Sequence, residues 1–453
     1  MTPGTEQAGT GAGTGAVAPA PAPAGEGTVV LDVDEVGGRV ERTVLPGGLR
    51  VLTETMPGVL SATVGIWVGV GSRDETDAVA GASHFLEHLL FKGTPRRDAR
   101  SIAVAVDATG GDFNAYTAKE HTVFYLRVPA RSAPMGLELL ADVVADPLLR
   151  PEDVAAEREV ILEELASTDD SPEEVVDELL WRALFPRHPL GWDVMGTQDS
   201  VAGMTAEAVG SFFDRWYRPA NLVVAAAGAV EHEAVVEAMA CLDTRAGRRG
   251  PSGPPERRPP RAKVRPVAIR RRRTEQAHLA LGWRAVGYRD DDRVALDVLE
   301  QVLGGGPSSR LFQEVREQRA LAYSVFASAT EFVDCGALAV YAGVAPGRAR
   351  EAITVVEGIV ADLAANGVST DELAVAKGYL EGSLWLGLED NPGRMGRLGW
   401  WELTEGRVPR PEEYLAQLDA LTAADVARVA ARVLGGPRAL AAVGPFDRAR
   451  LLD

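Results

Sequence analysis

A repeat that runs the length of the chain limits the fold more than any other feature of this sequence. The segment GIWVGVGSRDETD returns in the second half as LGWRAVGYRDDDR, and equivalent residues lie 216 positions apart. The apolar segments LVVAAAGAV and RALAAVGPF keep the same offset, while MTAEAV and LTAADV lie 217 positions apart. A shared offset over both halves predicts two related domains of about 210 residues. The matched residues of the first pair are Trp67 and Trp283, Arg73 and Arg289, and Asp74 and Asp290.

Local composition indicates where these domains begin and end. Residues 1–27 are dominated by Gly, Ala, Pro and Thr and lack the basic and apolar regions of a secretory signal, so we expect a disordered tail. Residues 28–248 form the first predicted domain and residues 267–453 the second. Residues 249–266, rich in proline and basic residues, predict a linker. Such a stretch can bind an anionic surface, but we favour a solvated connector that leads into an edge strand.

Both halves follow the same coarse pattern of secondary structure. Alternating strands come first, helices follow, and an apolar strand closes each half, without strict βαβ alternation. This pattern predicts an α+β fold built from two homologous α/β sandwich domains, each a mixed sheet covered by helices.

Overall composition excludes several classes of protein. Of the 453 residues 46% are hydrophobic and 25% charged, and no apolar run reaches the ~18 residues that span a membrane. The net charge of −18 argues against a nucleic-acid partner. Cys241 and Cys335 are far apart and predict no disulfide framework. We therefore expect a cytoplasmic protein with neither a membrane nor a nucleic-acid partner.

The segment HFLEHLLFKG carries two of the six histidines. Helical spacing brings His84 and His88 onto one face, one turn apart, where two imidazoles can hold one divalent metal. Glu87 points aside by about 100°, which suits a base that reaches a metal-bound water. Ser83 can cap this helix. The alternative is an amphipathic helix that happens to carry two imidazoles.

A hydrolytic zinc site needs a third protein ligand and one open position. The predicted helix PEDVAAEREVILEEL offers Glu157, Glu159, Glu163 and Glu164, and of these Glu157 and Glu164 share a face. Carboxylates beside apolar residues need partners, which a metal and its histidines would supply. His232, in EHEAV, lacks a second histidine at metal-binding spacing, so we expect it on the surface of a helix.

The segments HFLEHLLFKGT, GGDFNAYTAKEHTVFY and EREVILEEL together resemble the pitrilysin/insulysin family of zinc metallopeptidases, whose inverzincin motif is HxxEH. The branch they resemble is that of the mitochondrial processing peptidase β subunit and its bacterial relatives. The resemblance implies one Zn²⁺ per chain, held by His84, His88 and Glu164, with Glu87 as general base. Glu157 would then support the site by orienting a ligand histidine.

The same resemblance implies residues that hold the peptide. LGGGPSSRLFQEVREQRALAYSVFAS matches a family segment in which an arginine and a tyrosine, here Arg316 and Tyr323, reach the substrate from the second half. GGDFNAYT resembles an edge strand that pairs with an extended peptide, with Asn114 and Ala115 as candidates. The repeat places Glu300, Leu303 and Gly304 opposite the metal motif, so the second half is expected to hold no zinc.

These inferences predict a zinc endopeptidase whose two domains close like a clamshell around short or unfolded polypeptides, with basic peptides favoured by the acidic chain. The alternative is a non-catalytic or partner-dependent peptide-binding subunit of a processing-peptidase-like complex. The sequence leaves open a homodimer or pairing with a related non-catalytic subunit.

Overall fold

The structure is a computed structural model that describes residues 27–33, 37–244 and 253–447, with residues 449 and 451. The tail predicted over residues 1–27 lies outside the described residues except for Gly27, and so do linker residues 249–252. We call residues 27–244 the first half, residues 253–266 the connector and the described residues from 267 onward the second half.

Each half contains one sheet flanked by helices. The strands of the first half are β1 (Gly27–Val33), β2 (Arg39–Val44), β3 (Arg50–Thr55), β4 (Ser61–Val68), β5 (Asp112–Thr117), β6 (Thr122–Pro129) and β7 (Leu222–Gly228). Its helices are α1 (Ala82–Leu89), α2 (Ala99–Asp107), α3 (Ala133–Ala145), α4 (Pro151–Asp170), α5 (Pro172–Leu184), α6 (Gln198–Gly203), α7 (Ala206–Trp216) and α8 (His232–Asp243).

The second half repeats much of this order. Its strands are β8 (Val267–Arg271), β9 (Ala277–Ala285), β10 (Ala322–Glu331), β11 (Gly336–Val344) and β12 (Arg438–Gly444). Its helices are α9 (Arg293–Gly304), a π-helix (Phe312–Gln318), α10 (Ala349–Asn366), α11 (Thr370–Gly387), α12 (Asn391–Glu405), α13 (Pro411–Ala420) and α14 (Ala423–Leu434).

Sheet topology confirms the predicted repeat. The first sheet runs β1-β2-β3-β7-β4-β6-β5 and the second β8-β12-β9-β11-β10. The last five strands of the first sheet therefore match the whole second sheet. In both, the pair β3–β7 or β8–β12 is parallel and the other pairs of these five strands are antiparallel. The structure therefore has the predicted fold class, an α+β fold with two related halves that share five strands of mixed sheet.

The central strands are buried on both faces, which explains their continuous apolar runs. In β7, Leu222, Val224 and Ala226 face the helices of the first half, because side chains alternate along a strand. Val223, Ala225 and Ala227 face the opposite side and pack against Met395, Leu398 and Leu403 of α12.

The two halves exchange one helix each. Helix α12 lies between α11 and α13 of the second half in sequence but packs on β3, β4 and β7 of the first sheet. Helix α5 of the first half packs on the equivalent strands β8, β9 and β12 of the second sheet. A Cβ at Gly399 would lie 2.0 Å from the Trp67 Nε1 atom, so glycine is required where α12 meets β4. Each buried leucine in these contacts contributes roughly 1.5–3 kcal/mol relative to exposure, which ties the halves together.

The connector leads into edge strand β8, as expected from the sequence. The expectation that it is solvated is wrong at Arg257. The side chain of Arg257 is 10% exposed and forms an ion pair with Asp74 of the first half at 2.7 Å.

The expected surface position of His232 is also wrong. This residue is 3% exposed, and its two ring nitrogens lie within hydrogen-bond distance of the Thr43 and Thr53 hydroxyls at 2.7 and 2.8 Å. Buried polar groups require such partners. These contacts could not be predicted because the two threonines lie on strands 189 and 179 positions earlier in the chain.

Among the described residues, no single helix has the length and apolar composition to cross a membrane. The bent pair Pro346–Asn366 and Thr370–Gly387 meets those two criteria only when both helices are taken together.

Candidate metal centre

Helix α1 begins at a tight turn that a neighbouring carboxylate holds in place. Its N-cap, Gly81, has a φ of 95°, a conformation that favours glycine. The Glu75 carboxylate accepts hydrogen bonds from the Gly81 and Ser83 amides at 2.6 and 2.7 Å. Glu75 therefore provides the cap that the sequence assigned to Ser83. Burial raises the pKa of Glu75 to about 7.

The structure brings together the three predicted metal ligands. One ligand atom from each of His84, His88 and Glu164 can be chosen so that all three lie within 4.8 Å of one another. Glu164 Oε2 lies 3.9 Å from His84 Nε2 and 3.6 Å from His88 Nε2. A tetrahedral zinc ion with ligands near 2.0–2.1 Å separates its donors by about 3.4 Å. Two imidazoles and a carboxylate thus fit zinc in chemistry and in spacing.

The two histidines are held differently. His88 Nδ1 lies 2.9 Å from Glu157 Oε2, while Glu157 Oε1 forms an ion pair with Lys92 Nζ at 2.5 Å. This arrangement leaves His88 Nε2 facing Glu164, as a carboxylate–histidine–metal chain requires. His84 Nδ1 is buried, and no hydrogen-bond partner for it occurs in the described part of the chain. Burial, and then the nearby charge of His88, lowers the pKa of His84 to about 4, so this imidazole stays neutral, as a ligand must.

Glu87 lies beside the ligands on α1 and is fixed by β5. Its Oε2 accepts a hydrogen bond of 2.7 Å from the Thr117 hydroxyl. Burial raises the pKa of Glu87, and the hydrogen bond from Thr117 opposes that shift. The carboxylate is therefore oriented and more basic than an exposed glutamate.

A cavity of about 620 Å³ opens in front of these groups, between the two halves. His84, Glu87 and Thr117 contribute to one wall. Phe326, Ser328, Ala339, Val340 and Tyr341 of the second sheet contribute to the other. Five carboxylates also line the cavity: Glu173, Glu174, Asp177, Glu178 and Asp193.

The predicted peptide-holding residues of the second half lie apart from this cavity. Arg316, on the π-helix, stacks between two aromatic rings, with its Cζ 4.7 Å from the Phe312 ring and 4.8 Å from the Tyr323 ring. Tyr323 is 79% exposed. Arg316 and Tyr323 thus contact each other, but neither is among the residues that line the cavity.

Asn114 and Ala115 lie on β5, one of the two edge strands of the first sheet. The Ala115 amide donates to Asn114 Oδ1 at 2.8 Å, and the next two residues, Tyr116 and Thr117, line the cavity. One edge of β5 pairs with no strand among the described residues, and this free edge continues directly into the site.

Sequence reasoning missed three residues around the metal ligands: Glu75, Lys92 and Thr117. A signal was available for Lys92, which lies four residues after His88 and so near the same helical face. Glu75 and Thr117 reach α1 from a preceding loop and from β5, and spacing along α1 could not indicate either contact.

The second half has no comparable centre. Among the residues that the structure describes, His84, His88 and Glu164 form the one group with the spacing of a metal site. Glu300, opposite His84 in the repeat, is instead a partly buried carboxyl whose pKa burial raises to about 7.

Fold and donor set define a two-domain α+β protein with one metal-type centre facing the space between matching halves. Comparison with known proteins then identifies the family. Residues 50–198 match the model described as insulinase (peptidase family M16), and residues 203–380 match the model described as peptidase M16 inactive domain. The chain belongs to peptidase family M16, which confirms the resemblance seen in the sequence.

Several bacterial relatives are named as uncharacterized zinc proteases. The chain is 45% identical over 415 residues to one from Streptomyces coelicolor, covering 90% of each chain. It is 32% identical over 406 residues to one from Bacillus subtilis, covering 90% of this chain and 98% of that protein. A solved protease from Helicobacter pylori shares the fold with a TM-score of 0.83 and 24% identity, over 90% of this chain and 100% of that one.

Proposed function

We propose that the chain is a zinc-dependent endopeptidase that cleaves short or unfolded polypeptides in the cavity between its halves. The observation that carries this proposal is the cluster of His84, His88 and Glu164, whose donor atoms lie within 4.8 Å of one another beside Glu87. His84 and Glu87 both line the cavity. These three ligands would hold one zinc ion per chain and leave one position open for a water or a substrate.

Each nearby residue has a defined part in the proposed reaction. Zinc, when bound, polarises a carbonyl group and lowers the pKa of a water molecule. Glu87 accepts a proton from the water and donates it to the leaving amine. Thr117 keeps the Glu87 carboxylate in place through its hydrogen bond. Glu157 orients His88 by accepting from its Nδ1.

The walls of the cavity support the proposed substrate class. A space of about 620 Å³ between two packed halves admits an extended segment and excludes a folded domain. The free edge of β5 at Asn114 and Ala115 can pair with such a segment through main-chain hydrogen bonds. The carboxylates of the cavity favour basic side chains. Arg316 and Tyr323 would contact the peptide once the halves close around it as a clamshell.

The test is the substitution Glu87→Gln, which keeps the size of the side chain but removes the proton acceptor. We expect the purified variant to bind zinc like the wild type and to lose cleavage of an unstructured reporter peptide by at least ~100-fold. Asp107→Asn, on α2, is a charge-matched control that should cleave normally. A Glu87→Gln variant that cleaves as fast as the wild type would show that the base is assigned wrongly.

A second candidate function is a peptide-binding subunit that cleaves only beside a partner. The observation in its favour is that Arg316 and Tyr323 lie outside the cavity lining. The partner would be a second copy of the chain in a homodimer or a related non-catalytic subunit. Cleavage by the purified chain, together with its mass in solution, separates the two functions: activity of a monomer excludes the need for any partner.

A further inference from the structure

A buried cluster of charges joins three parts of the chain next to the cavity. Two arginines and three carboxylates belong to it: Arg73, Asp74 and Glu120 from the first half, Arg257 from the connector, and Asp334 from the second half. All five side chains are at most 10% exposed. Arg73 and Asp74 are the residues that first revealed the sequence repeat, and nothing in the proposed reaction uses them.

Arg73 links the two halves directly. Its Nη1 lies 2.5 Å from Glu120 Oε1, and its Nη2 lies 2.7 Å from Asp334 Oδ2. Glu120 makes a second link, because its Oε2 accepts from the Val333 amide at 3.1 Å. Val333 and Asp334 form the turn between β10 and β11, the strands whose side chains line the far wall of the cavity.

The connector closes the cluster from the other side. Arg257 donates to Asp74 at 2.7 Å and to the Glu120 carbonyl oxygen at 2.6 Å. Arg73 also donates to the Arg258 carbonyl oxygen at 2.9 Å. Buried charges are tolerated only while they are paired. If the second half moved away, Asp334 would lose the guanidinium of Arg73, and Glu120 would lose the Val333 amide.

Glu120 lies on the turn that carries the partner of the proposed base. Residues 118–121 connect β5 to β6, and the Ala118 amide donates to the His121 carbonyl at 2.8 Å across this turn. Thr117, the last residue of β5, donates to Glu87 Oε2. Glu120, whose side chain is held by the second half, therefore lies only three positions along the chain from Thr117, whose hydroxyl orients Glu87.

We propose that this cluster couples the docking of the second half to the orientation of Glu87. Glu120 is a positioning residue, which acts through the backbone of residues 117–120 and the Thr117 hydroxyl. The proposal rests on the proposed function, since Glu87 is the base there. The physical consequence is that the base is fully oriented only when the turn between β10 and β11 is docked, so the reacting groups are assembled together with the far wall of the cavity.

A double-mutant cycle between the two ends of the pathway tests the coupling. Asp334→Asn removes the cross-half charge, and Thr117→Val removes the hydroxyl that orients Glu87. We expect each single variant to lower kcat about tenfold with KM changed by less than about threefold. The double variant should be little worse than either single one, because both cut the same pathway.

Glu402→Gln is the matched control. Glu402 of α12 is also a buried cross-half carboxylate, paired with Arg42 and Arg50 of the first sheet at 3.4 and 3.7 Å, but it does not contact the turn at 118–121. The factor by which Glu402→Gln lowers kcat should multiply with the factor for Thr117→Val in the double variant. If the factors for Asp334→Asn and Thr117→Val also multiply, or if Asp334→Asn leaves kcat unchanged, the coupling is refuted. Glu120→Gln replaces Asp334→Asn if that variant does not fold.

Hydrogen exchange gives a readout that does not depend on cleavage. Backbone amides of residues 113–121 should exchange faster in Asp334→Asn than in Glu402→Gln, in protein without added zinc as well as with it. Equal exchange in the two variants overturns the proposal even if the chain proves to be an active peptidase. Faster exchange in Asp334→Asn supports the docking of the turn even if no peptide is cleaved.

Discussion

Removing the Glu157 carboxylate should weaken zinc binding without removing a zinc ligand. Glu157 Oε2 accepts from His88 Nδ1 at 2.9 Å, and its other oxygen pairs with Lys92 at 2.5 Å. Glu157→Ala leaves the His88 ring free to rotate and its Nδ1 without an acceptor. Loss of a partner of this kind typically costs 10–100-fold in metal affinity, which corresponds to about 1.4–2.8 kcal/mol.

The structure divides this effect into two parts. Glu157→Gln keeps an oxygen that can accept from His88 but removes the negative charge that faces Lys92. We therefore expect the zinc affinity to fall about tenfold in Glu157→Gln and closer to 100-fold in Glu157→Ala. Glu159→Ala, at an exposed position on the same helix, is the control and should bind zinc like the wild type.

The assay is competition for zinc against a chromophoric chelator of known affinity, at fixed pH and with circular dichroism to verify folding. Affinities of Glu157→Ala and Glu159→Ala that agree within about twofold would refute the assigned role of Glu157. Loss of zinc from both variants would instead point to general damage to α4.

Further expectations concern the ligand set, the second half and the exchanged helix. Glu164→Gln should lower zinc affinity by more than ~100-fold while thermal unfolding of the metal-free protein stays within about 1 kcal/mol of wild type. The pKa of Glu300 is raised to about 7 from 4.5, so the folded state binds the proton more tightly than the unfolded state and stability falls as pH rises through that window. Glu300→Gln should therefore raise the free energy of unfolding by on the order of 1 kcal/mol at pH ~8 and leave it nearly unchanged near pH ~4, measured by urea unfolding at both pH values; an equal gain at both would contradict this origin. In the same assay, Leu398→Ala in the exchanged α12 should lower the free energy of unfolding by about 2–5 kcal/mol, whereas Leu386→Ala at an exposed site should lower it by under about 0.5 kcal/mol.

The sequence predicted the parts of the fold and site that depend on spacing along the chain. Two histidines four residues apart on a helix must share a face, and the structure places His84 and His88 with ring centroids 4.7 Å apart. The repeat likewise predicted two halves of one kind, and the matching strand orders follow from it. The choice of Glu164 over its neighbours on α4 came from the family resemblance, since spacing alone allowed several carboxylates.

Contacts between distant segments could not be predicted. Helices α5 and α12 have ordinary amphipathic sequences, and nothing in them indicates that each covers the sheet of the other half. The burial of Arg257 depends on the position of Asp74, 183 residues earlier in the chain. His232 was misplaced for the same reason, because its threonine partners lie on β2 and β3.

The most direct test of the central claim is an anomalous difference map at the zinc absorption edge from crystals of the purified protein grown with zinc. We expect one strong peak per chain within about 2.0–2.2 Å of His84 Nε2, His88 Nε2 and a Glu164 carboxylate oxygen. A fully occupied zinc peak elsewhere in the chain, with none between these three residues, would contradict the metal centre and the peptidase mechanism built on it.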